Sequence, residues 1–169
     1  MSEFKCPLLP PTIDFNNYGV WDVYESYLYE IFVHDFIESQ PYLFGKPVRF
    51  RKHPVVIDKE QAFFHITSVS TSKNVADPND RIPDFRRCER IHWVKIILEN
   101  YNCQKGCCSF IKYWAEPYKM YKRWHFLFEE VRFLVIVEER EDYMLLISSY
   151  YIEYDNQLRK KLKKYQQYK

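Results

Sequence analysis

Glycine is scarce: the 169-residue chain has three. A phosphate-cradling loop needs several, and neither a GxGxxG nor a Walker-type run occurs, so chemistry driven by a bound nucleotide is set aside. Long apolar stretches are also missing. None approaches the roughly 18 residues of a membrane span, and MSEFKCPLLPPTIDF lacks the basic-then-apolar layout of a signal peptide. Cysteine is present but unpaired in pattern. Five cysteines without a secretory signal predict a reduced, cytoplasmic chain with no membrane partner. The one grouping of metal-ligand types is Cys103, Cys107 and Cys108, with Cys88 or His92 nearby. Adjacent cysteines seldom ligate one ion and there is no paired CxxC, so neither a metal nor a cofactor is expected.

Positive charge is missing from one end. Residues 1–40 hold Lys5 against seven acids, a net −6, and the whole chain is +2, which leaves +8 for residues 41–169. Such asymmetry suggests that the later part faces an anion, although two solvated surfaces would give the same count. What the chain has in excess is aromatic residues, 15 Tyr and 13 Phe among them.

Hydrophobic periodicity predicts an α+β fold in one domain, 1–169, with an N-terminal extension and helix over 1–47 and a core over 48–169. Trp21, Tyr24, Leu28, Ile31, Phe32 and Phe36 recur at helical spacing, which predicts an amphipathic helix over 18–38. Short strands are expected near Val48–Arg51 and over Ala62–Ser68, "AFFHITS", and a loop through "SVSTSKNVADPNDRIP". Phe85, Cys88, Ile91, Val94 and Leu98 predict a second helix of about four turns, capped by Asp84. Four strand-like runs follow, 109–114, 124–130, 132–139 and 143–153, with short charged connectors after the second and third. This is the pattern of a four-stranded antiparallel meander, with the helices packed on one side of it. The closing "DNQLRKKLKKYQQYK" carries Leu158, Leu162 and Tyr165 on one stripe and reads as a basic C-terminal helix.

The last strand, "LLISSYYIEY", places Ser148 and Tyr150 where a buried strand normally carries Val, Ile or Leu. Two residues apart, they share a face. One account is two buried, satisfied hydroxyls in a Tyr-rich protein. The other is a cleft. RNA carries its own nucleophile, so an enzyme can cut it with a proton acceptor, cations for the phosphate, and hydrogen-bond donors. His65 suits the proton step, and Arg86, Arg87 and Arg90, crowded within five positions, suit the phosphate. Each also has a bland account, as a structural histidine or a solvated helix face. Lys112, Trp114 and Arg123 could line the same cleft, and Trp114 could equally be core.

Four patches resemble the phage-associated branch of the barnase–EndoU–colicin–RelE superfamily of metal-independent ribonucleases. They are "RKHPVVIDKEQAFFHITS" (51–68), "RIPDFRRCERIHWVKIILEN" (81–100), the paired strands of 132–154, and the Lys-rich tail. In that family the last core strand bears a Thr-x-Tyr or Ser-x-Tyr pair, which Ser148-Ser149-Tyr150 matches, with Ser in place of the more frequent Thr. The resemblance covers roughly 48–165 and leaves the first helix outside. It implies a catalytic set of His65, Arg87, Arg90, Ser148 and Tyr150. Thr67, Arg81, Arg86, Lys112, Trp114, Arg123, Lys160, Lys161, Lys163 and Lys164 would then contact substrate. The expected activity is endonucleolytic cleavage of RNA, tRNA being one candidate, by 2′-OH attack to leave a 2′,3′-cyclic phosphate. The expected setting is a toxin or phage-conflict effector with a cognate inhibitor protein. A non-catalytic RNA-binding or protein-interaction module of the same fold is the alternative.

Overall fold

The structure is a computed structural model that describes residues 9–53, 55, 58–70, 81–102 and 111–169. Of the loop expected through 68–83, residues 71–80 lie outside these residues, as do the cysteines at 103, 107 and 108, and its two described ends are paired strands instead of loop. Within them the fold is α+β, but the sheet is mixed and six-stranded rather than a four-stranded meander. Helix α1 (Trp21–Val33) buries Tyr24, Leu28 and Phe32, and a π turn over His34–Glu38 adds Phe36. A strict four-residue repeat drifts around a helix of 3.6 residues per turn. The wider final turn returns Phe36 to the buried face.

Strands β1 (Tyr42–Leu43) and β2 (Lys46–Arg49) form a hairpin. Its two-residue turn has Phe44 at φ 54° and Gly45 at φ 75°, the doubly left-handed geometry that matches strand twist. The next segment departs from expectation. Residues 62–68 were expected as a strand, but Gln61–Thr67 is a helix, α2. Its β-formers are buried at helical spacing, as Ala62, Phe63, Ile66 and Thr67, so tertiary burial overrides local preference. The Thr67 hydroxyl closes the last turn by donating to the Phe63 carbonyl at 2.8 Å. A small ladder of β3 (Ser68–Ser70) and β4 (Arg81–Pro83) follows.

The expected four-turn helix is two short ones, α3 (Phe85–Cys88) and α4 (Trp93–Asn100). Its stripe explains the break. Each spacing of three falls about 60° short of a full turn, so three in succession put Phe85 and Val94 on opposite sides of a continuous helix. The turn between α3 and α4 lets Cys88, Ile91, Val94 and Leu98 all reach the core, while Phe85 stays 44% exposed. Asp84 caps α3 as expected, accepting from the amides of Arg86 and Arg87.

Strands β5 (Ile111–Tyr118), β6 (Tyr121–Phe128), β7 (Phe133–Glu139) and β8 (Met144–Tyr151) run antiparallel in sequence order. Beyond β8, β2 adds in parallel, pairing Val48 with Met144 and Arg49 with Leu145. Met144 and Leu146 join the main core, with Val135, Val137, Tyr24 and Phe32. Tyr150 packs on the other face, against Trp114, Leu127, Leu134 and Ile152. These positions are all even-numbered on β8, so simple alternation would put them together. A bulge prevents it: Ile136 pairs with Ser148 but Val137 with Leu146, leaving Ile147 as the extra residue.

Helix α5 (Asp155–Tyr168) covers that second face through Leu158, Leu162, Tyr165 and Tyr168. The helices therefore sit on both faces of the sheet, not one. Trp114 is 1% exposed under α5. Trp114→Ala should lower stability by about 3–5 kcal/mol, the cost of emptying a buried tryptophan site. Urea denaturation checks this. An unchanged midpoint and slope would return Trp114 to the surface.

Candidate functional site

Only the first two residues of β8 pair with β2, and α2 and α3 pack against β8. The C-terminal end of α2 meets the strand at Ser148, whose hydroxyl reaches the His65 carbonyl at 3.4 Å. A helix end leaves carbonyls without partners, and two arginines fill the need. Arg87 Nη1 donates to the carbonyls of His65 at 2.8 Å and Ser68 at 3.2 Å. Arg81 donates to the Ser68 hydroxyl at 2.9 Å and to the Ser68 carbonyl at 2.6 Å. Arg87 also lies 3.5 Å from the Ser148 hydroxyl and has its guanidinium carbon 5.4 Å from the centre of the Tyr150 ring. The first task of both arginines is thus to cap α2. Their charge remains at the site.

That charge acts on the imidazole. His65 is half-buried, and burial, then Arg81, Arg51 and Arg87, hold it down to about 4. It is therefore neutral at physiological pH and able to accept a proton. The hydroxyl contacts of Ser148, at 3.4 and 3.5 Å, are at the long limit of hydrogen bonding. The Tyr150 hydroxyl bonds to no described residue. Two loosely committed donors therefore flank Arg87 at the end of α2, and the imidazole on that helix turn lies in the field of three cations.

Tyr150 belongs to a second feature too. Together with Ile152, Glu116, Lys160, Lys161 and Lys164 it lines a groove of about 620 Å³ along α5, and Lys163 borders it. Beneath its Glu116 rim, His125 is buried, stacked on Trp114 at 5.1 Å and 3.2 Å from the Glu116 carboxylate. Burial pushes His125 down to about 4 against the pull of Glu116.

The structure thus brings together His65, Arg81, Arg87, Ser148 and Tyr150, with the four tail lysines adjoining through Tyr150. It does not bring the others. Arg86 and Arg90 lie on the opposite side of β8, with guanidinium carbons 4.8 and 4.6 Å from the Tyr151 ring centre. Arg86 is on α3 and Arg90 in the turn after it, where Arg90 Nη1 donates to the Arg86 carbonyl at 2.9 Å, whereas Arg87 points elsewhere. Thr67 is buried with its hydroxyl spent on Phe63. Lys112 is ion-paired with Glu129 at 2.6 Å, and Trp114 is core. Arg123 pairs with Glu138 at 2.9 Å, across the sheet face from α2. Of the grouping with metal-ligand types, Cys88 is buried and donates to the Thr67 carbonyl, with its thiol pushed up to about 12. His92 bonds the Pro11 carbonyl at 2.8 Å. Sequence reasoning assigned no role to Arg51, Glu116, His125, Glu138 or Arg140. The signal was the alternation of Tyr121, Arg123 and His125, which starts β6 three residues before the expected Trp124.

Burial holds His92, and more strongly His65 and His125, below the ordinary value, and the last two make stability depend on pH. Each binds its proton more readily in the unfolded chain, so its contribution is complete above about pH 6.5 and is lost as pH falls towards 4. The melting temperature should drop across that window, and His65→Gln and His125→Gln should each flatten the drop. A profile as steep in the double variant as in the parent would contradict the two placements.

No helix among the described residues is long and apolar enough to cross a membrane. Comparison of the chain with protein-family models, with curated proteins and with solved structures finds no match.

Proposed function

We propose that the protein is a metal-independent endoribonuclease, as its resemblance to the barnase–EndoU–colicin–RelE superfamily implies. The observation that carries this reading is the meeting of the last turn of α2, which carries His65, with Ser148 on β8, where Arg87 touches the His65 backbone carbonyl and the Ser148 hydroxyl and lies over the Tyr150 ring. His65 takes the proton from a 2′-OH. The 2′-oxygen bonds to phosphorus, the bond from phosphorus to the 5′-oxygen breaks, and a 2′,3′-cyclic phosphate remains. The departing 5′-oxygen takes a proton from the Tyr150 hydroxyl, which regains one from solvent as His65 releases its own. The arginines oppose the charge that builds on the phosphate oxygens. The groove of α5 lysines holds flanking phosphates of the same strand. Such an activity harms its own cytoplasm, which suits a toxin or phage-conflict effector restrained by a cognate inhibitor.

A second reading, a non-catalytic RNA-binding module, is favoured by one observation. Arg81 Nε and Nη2 and Arg87 Nη1 are already spent on α2 and β3. Cleavage separates the two. Incubation with single-stranded RNA in EDTA should yield cyclic-phosphate ends and leave DNA intact. His65→Ala should lower the rate about 10²–10⁴-fold, the range for a lost general base, with RNA binding retained. The rate should hold from pH 7 to about 5 and fall towards 4 as His65 protonates. Arg90→Ala should cleave at the parent rate when saturated. RNA binding with no cleavage by the parent selects the second reading. Cleavage that requires a divalent metal would falsify the mechanism.

A further inference from the structure

The open part of the sheet face beyond α5 holds a second basic pocket, built on charges that, Arg51 apart, no step above uses. It has a volume of about 390 Å³ and lies at the β5–β6 turn, bordered by Arg51, Tyr118, Lys119, Tyr121, Arg123 and Arg140, with Glu138 at its base. Four cations face one acid. Glu138 is 2% exposed, and its two oxygens are divided between the arginines: Arg123 Nε at 2.9 Å on one, Arg140 Nε and Nη2 at 2.8 and 2.6 Å on the other. The carboxylate fixes both guanidinium groups while leaving both terminal nitrogens of Arg123, and one of Arg140, bonded to no described residue. Each group is also laid over a ring, Arg123 at 3.4 Å from the Tyr118 centre and Arg140 at 3.9 Å from that of Tyr121. The side chains of Arg51 and Lys119 hydrogen-bond and ion-pair with no described residue, and both are exposed.

Strand register relates this pocket to the site. On β7, Glu138 pairs with Arg123, Ile136 with Ser148, and Leu134 with Tyr150. Along β7 and β8, the pocket row and the Tyr150 row therefore flank the Ser148 row, each about 7 Å away. Arg51 ties the two ends together, since it borders the pocket and also acts on the His65 imidazole. A strand that lies in the α5 groove and crosses Ser148 meets this pocket next.

We infer that the pocket binds the nucleotide adjoining the reacting phosphate on the side away from Tyr150, its phosphate on Arg51, Lys119, Arg123 and Arg140 and its base on the Tyr118 ring. The inference rests on the ribonuclease reading for its ligand, single-stranded RNA. Tyr118 is 39% exposed, with Arg123 held 3.4 Å and the exposed Lys119 Nζ 5.5 Å from its ring centre, and a base that stacks on the ring displaces only the Lys119 amine. Guanidinium groups pre-set by a buried carboxylate suit phosphate oxygens, because little rotamer freedom is left to lose.

The test measures binding apart from cleavage. A fluorescent single-stranded RNA is titrated with the His65→Ala protein across a salt series. Adding Arg51→Ala and Lys119→Ala, which break no described hydrogen bond or ion pair, should flatten the log–log salt slope by about 1.4, at about 0.7 per phosphate contact. Tyr118→Ala should weaken binding roughly 5- to 150-fold, the loss of one stacked base. RNA binding with an unchanged slope and undiminished affinity in these variants overturns the pocket and leaves the ribonuclease reading standing. A His65→Ala protein that binds RNA at no salt concentration, with a parent that cleaves none, sinks both.

Discussion

The site depends on one extra residue. Ile147 is inserted opposite the Ile136–Val137 step, and it reverses which side of β8 faces the main core. Before it, Met144 and Leu146 bury among the aromatic residues of α1 and α4. After it, Ser148 and Tyr150 turn to the α5 side, and Ser149 and Tyr151 take the inner one. The insertion exchanges one serine for the other on the inner face: Ser149 is 1% exposed with its hydroxyl unpartnered, at a cost of about 1–3 kcal/mol, and Ser148 is released to the side where α2 ends.

The same insertion puts Ser148 where α2 ends. A helix finishing against a strand leaves carbonyls to satisfy, and a buried cation can satisfy several at once. Arg81 and Arg87 do so, and their placement is therefore dictated by backbone chemistry before any ligand is considered. This gives the site its economy. Groups that hold the helix end also depress the proton affinity of the imidazole on its last turn, so a neutral base and a cationic field arise from one arrangement.

How much of this was legible in the sequence follows from the range of the forces involved. The four meander strands, α1 and α5 are local patterns, and each lies within a few residues of its expected place. Segment 61–67 misled because its β-formers are buried by tertiary contacts that local preference does not register. The break between α3 and α4 was readable in the repeated spacing of three but was outweighed by the apolar stripe. β1 and β2 are too short to carry a period, and parallel pairing leaves no turn signal beside its partner. The association of His65 with Ser148 and Tyr150 came from the resemblance, not from pattern. Arg90 was misplaced because helical spacing groups it with Arg86, which grips Tyr151. The Glu138–Arg123–Arg140 cluster escaped because its members are joined by register alone.

The parallel pairing of β2 with β8 has a consequence in time. It joins Val48 to Met144, a contact between distant parts of the chain, whereas the meander and α5 are built from neighbours. Closing a long loop costs entropy before its contacts repay it. The hypothesis that follows is a sequence of assembly: the meander with α5 first, the β2 edge and the end of α2 last. The end of α2 would then reach Ser148 only in the final stage, and the proposed site would be assembled last. Pulse-labelled hydrogen exchange showing α2 protected before β6 and β7 would reverse that order.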